Sequence, residues 1–212
     1  MEKYIESQLN TGDIILCHGY NKPGTIDPGV DGLIEFATHS PWEHTGIIIR
    51  DPWWTKQSLK GVYIMQSGWG PNTYPDVLTG DISGVTLNEY SAFIKNRKEI
   101  YIRHISNVTW TSTTKKKFVR AFNTAHGCPY DTNPVSWAGA GIGSFCYCRC
   151  CSRAAAPEVT DTFWCSALVA FMYSRMGWIN KNIDWSCQTP ANIAEMETTN
   201  NCTLTVPIKI ID

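Results

Sequence analysis

The sequence predicts a single α+β domain in which an antiparallel sheet, open or closed into a small barrel, packs against helices. Three observations carry this. Two β-branched runs at 45–50 and 62–66 lie close enough together to pair antiparallel. The clearest helical stripe runs over 162–176, with Leu168, Val169, Met172 and Met176 on one side and Gly177 ending it. No internal repeat or linker divides the 212 residues, 43% of them hydrophobic, so one domain over 1–212 with a core of ordinary size is expected.

In chain order, the Gly12-Asp13 turn leads into Ile14-Ile15-Leu16-Cys17, a short apolar run expected to be a buried strand. A Gly- and Pro-rich loop follows over 18–32, and 33–39 reads as a short helix that Pro41 stops. The strands at 45–50 and 62–66 flank a loop carrying Pro52, Trp53 and Trp54. Four Gly and two Pro within 68–84 predict a long irregular excursion. Apolar residues at 87, 90, 93 and 94 have helical spacing, while 100–104 alternates like a strand. A further helix is expected over 111–125, capped by Ser112 or Thr113, with Phe118, Val119 and Phe122 on one face. Residues 127–157 are rich in Gly, Ala and Cys and read as a looped insertion or flap. Thr160, Asp161 or Thr162 would cap the strong helix, a short helix near 191–196 follows Thr189-Pro190, and 204–210 would close the fold as an edge strand.

Formal net charge is -1, the pI is about 6.5, and Lys115-Lys116-Lys117 is the one basic run, so nucleic acid is not expected as a partner. The first 17 residues lack the basic and continuously apolar regions of a signal peptide, and no stretch approaches the ~18 apolar residues of a membrane span. An intracellular chain made in a reducing compartment is therefore expected. Its nine cysteines leave at least one thiol unpaired.

Cys165 falls near the start of the strong helix, where backbone N–H groups and the helix dipole stabilise a thiolate and could hold an oxyanion. Against this, unpaired cysteines are often small buried hydrophobes. A thiol nucleophile needs a base. His44, opening the strand before Thr45-Gly46, is the best placed; His18 and His39 remain open, and His104 and His126 have structural explanations at element ends. The base needs an orienting group. Gln66, polar at the end of an apolar strand, fits that role, with Glu43 as the alternative.

Taken together, Thr11-Gly12-Asp13-Ile14-Ile15-Leu16, Glu43-His44-Thr45-Gly46-Ile47-Ile48-Ile49, Tyr63-Ile64-Met65-Gln66, Gly127-Cys128-Pro129-Tyr130-Asp131 and Phe163-Trp164-Cys165-Ser166-Ala167-Leu168-Val169 resemble the circularly permuted papain-like branch of the NlpC-type superfamily. That branch includes bacterial YiiX-type proteins, a poxvirus group and, more distantly, lecithin retinol acyltransferase. The chain's order, His44 before Cys165, is that of the permuted branch, and the resemblance spans roughly 11 to 195. It implies a permuted papain-like fold with Cys165 as nucleophile, His44 as base and Gln66, where many members carry a carboxylate, as the orienting residue. It further implies a thiol hydrolase or acyltransferase acting on amide or ester bonds of a peptide, peptidoglycan-type or lipid substrate, and a viral source is consistent with it.

No metal or other cofactor is required by this chemistry. Trp42 and Trp164 are placed to wall an apolar cleft beside His44 and Cys165. Outside the family pattern, Cys146, Cys148, Cys150 and Cys151 crowd into six residues and could serve packing, metal or redox chemistry, or lipid attachment with peripheral membrane contact. The alternative function is thus a non-catalytic membrane- or virion-associated protein that retains the fold, with a small metal-binding module as a third reading.

Overall fold

Strand residues buried at nearly every position in the N-terminal half build most of one antiparallel sheet. In the computed structural model, which describes residues 6–20, 41–69, 73–95, 97–132 and 160–211, the strands are β1 (Ile14–Tyr20), β2 (His44–Arg50), β3 (Val62–Gly68), β4 (Gly84–Glu89), β5 (Arg97–Arg103) and β8 (Ile208–Ile211), hydrogen-bonded in the order β4-β3-β2-β1-β5-β8. Every pairing is antiparallel, and the sheet is open, so of the two expected forms it is the sheet and not the barrel. Short strands β6 (Ile105–Ser106) and β7 (Thr203–Leu204) pair separately.

Both faces of the sheet are covered. Ile14, Leu16, Ile47, Ile49, Met65, Val85 and Leu87 pack against α2 (Ser112–Ala125) and α3 (Cys165–Met176). The alternate residues Ile15, Cys17, Ile48, Ile64, Ile100 and Ile102 pack on α1 (Tyr90–Ile94) through Phe93 and Ile94. Because it lies under this sheet, α3 is apolar nearly all round, with ten of its twelve residues buried. Left-handed Gly177 closes it, as the sequence predicts. A 3-10 turn (Trp185–Cys187) and α4 (Pro190–Glu195), the latter with a Thr189/Asn192 capping box, follow.

Four expectations need correction. Residues 87–94 are not one helix. Val85 and Leu87 belong to β4 and one core, Tyr90, Phe93 and Ile94 to α1 and the other, so the chain changes element at Glu89 and two patterns fuse into a false helical spacing. The helix α3 begins at Cys165, with Trp164 at its N-cap and no side-chain cap, not at Thr160 to Thr162. Thr111, accepting from the Thr114 N–H, caps α2 in place of Ser112 or Thr113. The edge strand expected over 204–210 is divided between β7 and β8. The helix expected at 33–39 and the cysteine cluster at 146–151 lie outside the described residues. No described helix is long and apolar enough to cross a membrane.

Candidate functional site

Two connections that are distant in sequence fix the start of α3. Phe163 pairs with Tyr130, its N–H donating to the Pro129 carbonyl and its own carbonyl accepting from the Asp131 N–H, each at 3.1 Å. The Ser67 hydroxyl, from the end of β3, also donates to the Phe163 carbonyl, at 2.5 Å. On the other side, the Gln188 carbonyl accepts from Trp164 Nε1 at 3.0 Å and from the Ser166 hydroxyl at 2.7 Å. The motif Gly127-Cys128-Pro129-Tyr130-Asp131 therefore acts as a structural tie, joining β4, through Val85 and Gly127, to the residues just before the thiol.

Cys165 is the first residue of α3 and is buried. The backbone N–H groups of Thr45 and Ser166 act on its sulfur to lower the thiol pKa. The β2–β3 ladder runs only from Ile47↔Met65 to Arg50↔Val62, so Thr45 lies beyond it and its N–H is available to the thiol. Burial raises the thiol pKa, and the two N–H groups and the Arg97 charge only partly offset this. The resting sulfur is a protonated thiol and not the thiolate that its helix position suggests.

His44 opens β2 opposite Cys17. Its Nε2 lies 2.6 Å from Gln66 Oε1. Gln66 Nε2 in turn donates to Asn88 Oδ1 at 2.8 Å, and the Thr86 hydroxyl donates to the same oxygen at 3.0 Å. His44, Gln66, Thr86 and Asn88 share the sheet face that packs on α1, and the imidazole lies 5.9 Å from the Phe93 ring. Burial, and after it the charge of Arg97, lowers the His44 pKa to about 3. The imidazole is therefore neutral at ordinary pH, with Gln66 as its hydrogen-bond partner. His44 and Cys165 are not hydrogen-bonded to one another, but the charge of Arg97 acts on both, and the residue that follows His44 acts on the thiol.

Three contributors escape sequence reading. Arg97 is buried with its guanidinium 4.7 Å over the Phe93 ring, and its charge reaches His44, Cys17 and Cys165. Thr86 and Asn88 fall where the sequence spacing mimics a helix, although their alternation with Val85 and Leu87 is the period-two signal of a strand.

The remaining candidates have other work. His104 Nδ1 bonds Asp13 at 3.0 Å, and His126 Nε2 bonds Asp76 at 2.7 Å. His18 Nδ1 lies 2.5 Å from the Pro41 carbonyl, and His39 is outside the described residues. Trp42 packs edge-on against Tyr101 at 4.8 Å, and the indole of Trp164 is turned to Gln188. Among the described residues, no group of three or more His, Cys, Asp or Glu is arranged to hold a metal ion.

Neither a protein-family model nor a curated protein matches the chain. Among solved structures, the chain is similar in shape to the metalloprotein yiiX from Escherichia coli O157:H7, with a TM-score of 0.46 and 17% sequence identity over 80% of this chain and 67% of that one.

Proposed function

We propose that the chain is a thiol hydrolase or acyltransferase acting on amide or ester bonds. One observation carries this reading: Nε2 of a buried neutral imidazole lies 2.6 Å from Gln66 Oε1, while the backbone N–H of the next residue, Thr45, lowers the pKa of the buried Cys165 thiol. In this mechanism His44 Nδ1 removes the thiol proton as the sulfur attacks the carbonyl, since neither group is charged at rest. The carbonyl oxygen becomes an oxyanion beside the first turn of α3, whose start has no side-chain cap. The tetrahedral species collapses to a thioester as the amine or alcohol leaves with the proton from His44. Water or an acceptor hydroxyl or amine then releases the acyl group. Trp69 and Ile82, both exposed, flank Gly68 and Gly84, which pair at the His44 end of the sheet, and they favour a substrate with an apolar group beside the reacting carbonyl.

Incubating the chain with p-nitrophenyl esters of graded acyl length and weighing the intact protein tests this reading. Expected is an acyl adduct on Cys165, absent in Cys165→Ala and formed roughly 10²–10⁴-fold more slowly in His44→Ala. An adduct that survives Cys165→Ala overturns the assignment. Burial of both the thiol and the imidazole favours a second reading, a non-catalytic protein that keeps the fold, for which no ester in the series would acylate Cys165.

A further inference from the structure

We propose that Asn88 is a positioning residue: together with the backbone carbonyls of Tyr74 and Pro75 it sets the direction of an amide hydrogen-bond chain that holds His44 as the Nε2–H tautomer, leaving Nδ1 as its basic nitrogen. This rests on the reading of His44 as the base.

The direction follows from groups that have no choice of role. Backbone carbonyls accept and never donate. The Asn88 side-chain atom 2.8 Å from the Tyr74 carbonyl and 3.0 Å from the Pro75 carbonyl must therefore be its NH2 group. That fixes the other atom, facing Gln66 and Thr86, as Oδ1. An oxygen at that point requires a donor from Gln66, so Gln66 presents Nε2 to Asn88 and Oε1 to the imidazole. The amide oxygen in turn requires an N–H, and Nε2 of His44 supplies it. Side-chain amides are otherwise free to be turned end for end; here the two carbonyls remove that freedom at both steps.

Reversing the chain shows what the arrangement prevents. With Gln66 turned, its NH2 would face His44, Nε2 would become the acceptor, and the single imidazole proton would sit on Nδ1. The nitrogen free of Gln66 would then have no lone pair with which to take a proton from a thiol. In the native direction Nδ1 keeps that lone pair, and the imidazolium formed on taking the proton keeps Gln66 Oε1 as acceptor for its Nε2–H. Turning Asn88 as well would set its oxygen against two carbonyl oxygens. Asn88, Thr86 and Gln66 are all buried, so no solvent is at hand to repair such a contact. The base is thus oriented by the 73–83 connection through two side chains, at a distance from the imidazole itself.

Long-range 1H–15N correlation on the 15N-labelled full chain reads the tautomer directly. Expected in the native chain is a His44 ring protonated at Nε2 and bare at Nδ1. Asn88→Leu, similar in size and without polar atoms, should introduce the Nδ1–H form and slow acylation of Cys165. Asn88→Asp should restore the native tautomer, since a protonated carboxyl can donate to a carbonyl and accept from Gln66. Should Asn88→Leu fail to fold, Asn88→Ser, which also lacks a fixed direction, is expected to show the same mixed tautomers. A native chain with Nδ1–H, or a folded Asn88→Leu or Asn88→Ser with undiluted Nε2–H, overturns the proposal. The hydrolase reading fails separately: the native tautomer lost in Asn88→Leu and recovered in Asn88→Asp, with no acyl adduct on Cys165 in any chain, would keep the hydrogen-bond chain and remove the reaction.

Discussion

The backbone N–H of Thr45, on β2, lowers the pKa of the Cys165 thiol at the start of α3. A strand residue thus acts on a helix-start thiol, and it lies beyond the end of the β2–β3 ladder at Ile47. This influence is too weak to ionise the thiol, whose pKa burial raises above its ordinary value of 9.0.

The alkylation profile should report this balance. Labelling of Cys165 by iodoacetamide, followed by intact mass against the Cys165→Ala chain, is expected to keep rising through about pH 9, the unperturbed thiol range. A rate that levels off near pH 6 or 7 would instead show a thiolate at rest.

His44 makes stability depend on acid. Its pKa falls from 6.5 to about 3 on folding, so the unfolded chain takes up a proton over that interval and the folded chain does not. The stability it contributes is full above pH 6.5 and is lost as pH falls toward about 3, at roughly 1.4 kcal/mol per pH unit. Urea unfolding at a series of pH values should give a shallower acid slope for His44→Gln than for the native chain.

Asp76 anchors the connection that precedes β4. Its Oδ1 accepts the N–H groups of Leu78 and Thr79, at 2.6 and 2.9 Å, and its Oδ2 accepts Leu87 N–H and His126 Nε2, both at 2.7 Å. Burial raises its pKa, but the bonds from His126, Leu87 and Leu78 outweigh burial and the net shift is downward. Its stabilisation is therefore present above the ordinary value of 3.8 and disappears as pH drops through the lower folded value. Asp76→Asn is expected to cost roughly 2–4 kcal/mol near neutrality and to flatten the most acidic part of the unfolding profile, as read by chemical denaturation.

Gly84 has φ +82, and a Cβ there would collide with the Cys128 carbonyl oxygen, which accepts the Val85 N–H at 2.8 Å. Gly84→Ala combines left-handed strain with a backbone clash and should cost roughly 2–4 kcal/mol by urea titration. Because Cys128 leads to Pro129 and Phe163, acylation of Cys165 should fall as well.

His44, Gln66 and Cys165 are legible in the sequence because each bounds or breaks a local pattern. His44 opens a strand, Gln66 is a polar residue in an apolar one, and Cys165 precedes the strongest helical stripe; each stands out locally. Asn88 and Thr86 are hidden by the fusion of β4 with α1, two elements facing opposite cores. Arg97 leaves no local signal, since a charged residue at a strand start normally faces water and its burial against Phe93 is a tertiary outcome. The direction of the thiol's ionisation is also beyond local reading. Helix position argues one way, and the depth of burial, which decides, comes from the assembled sheet.

The order of β2, β3 and β4 along the chain has a consequence for synthesis. His44, Gln66 and Asn88 lie on three successive strands joined by local connections, whereas Cys165 arrives on α3, after β5 and α2 have been made. A ribosome therefore releases the imidazole and its amide partners well before the sulfur. In the proposed reaction, then, the base and its amide partners would be made before the sulfur on which they act.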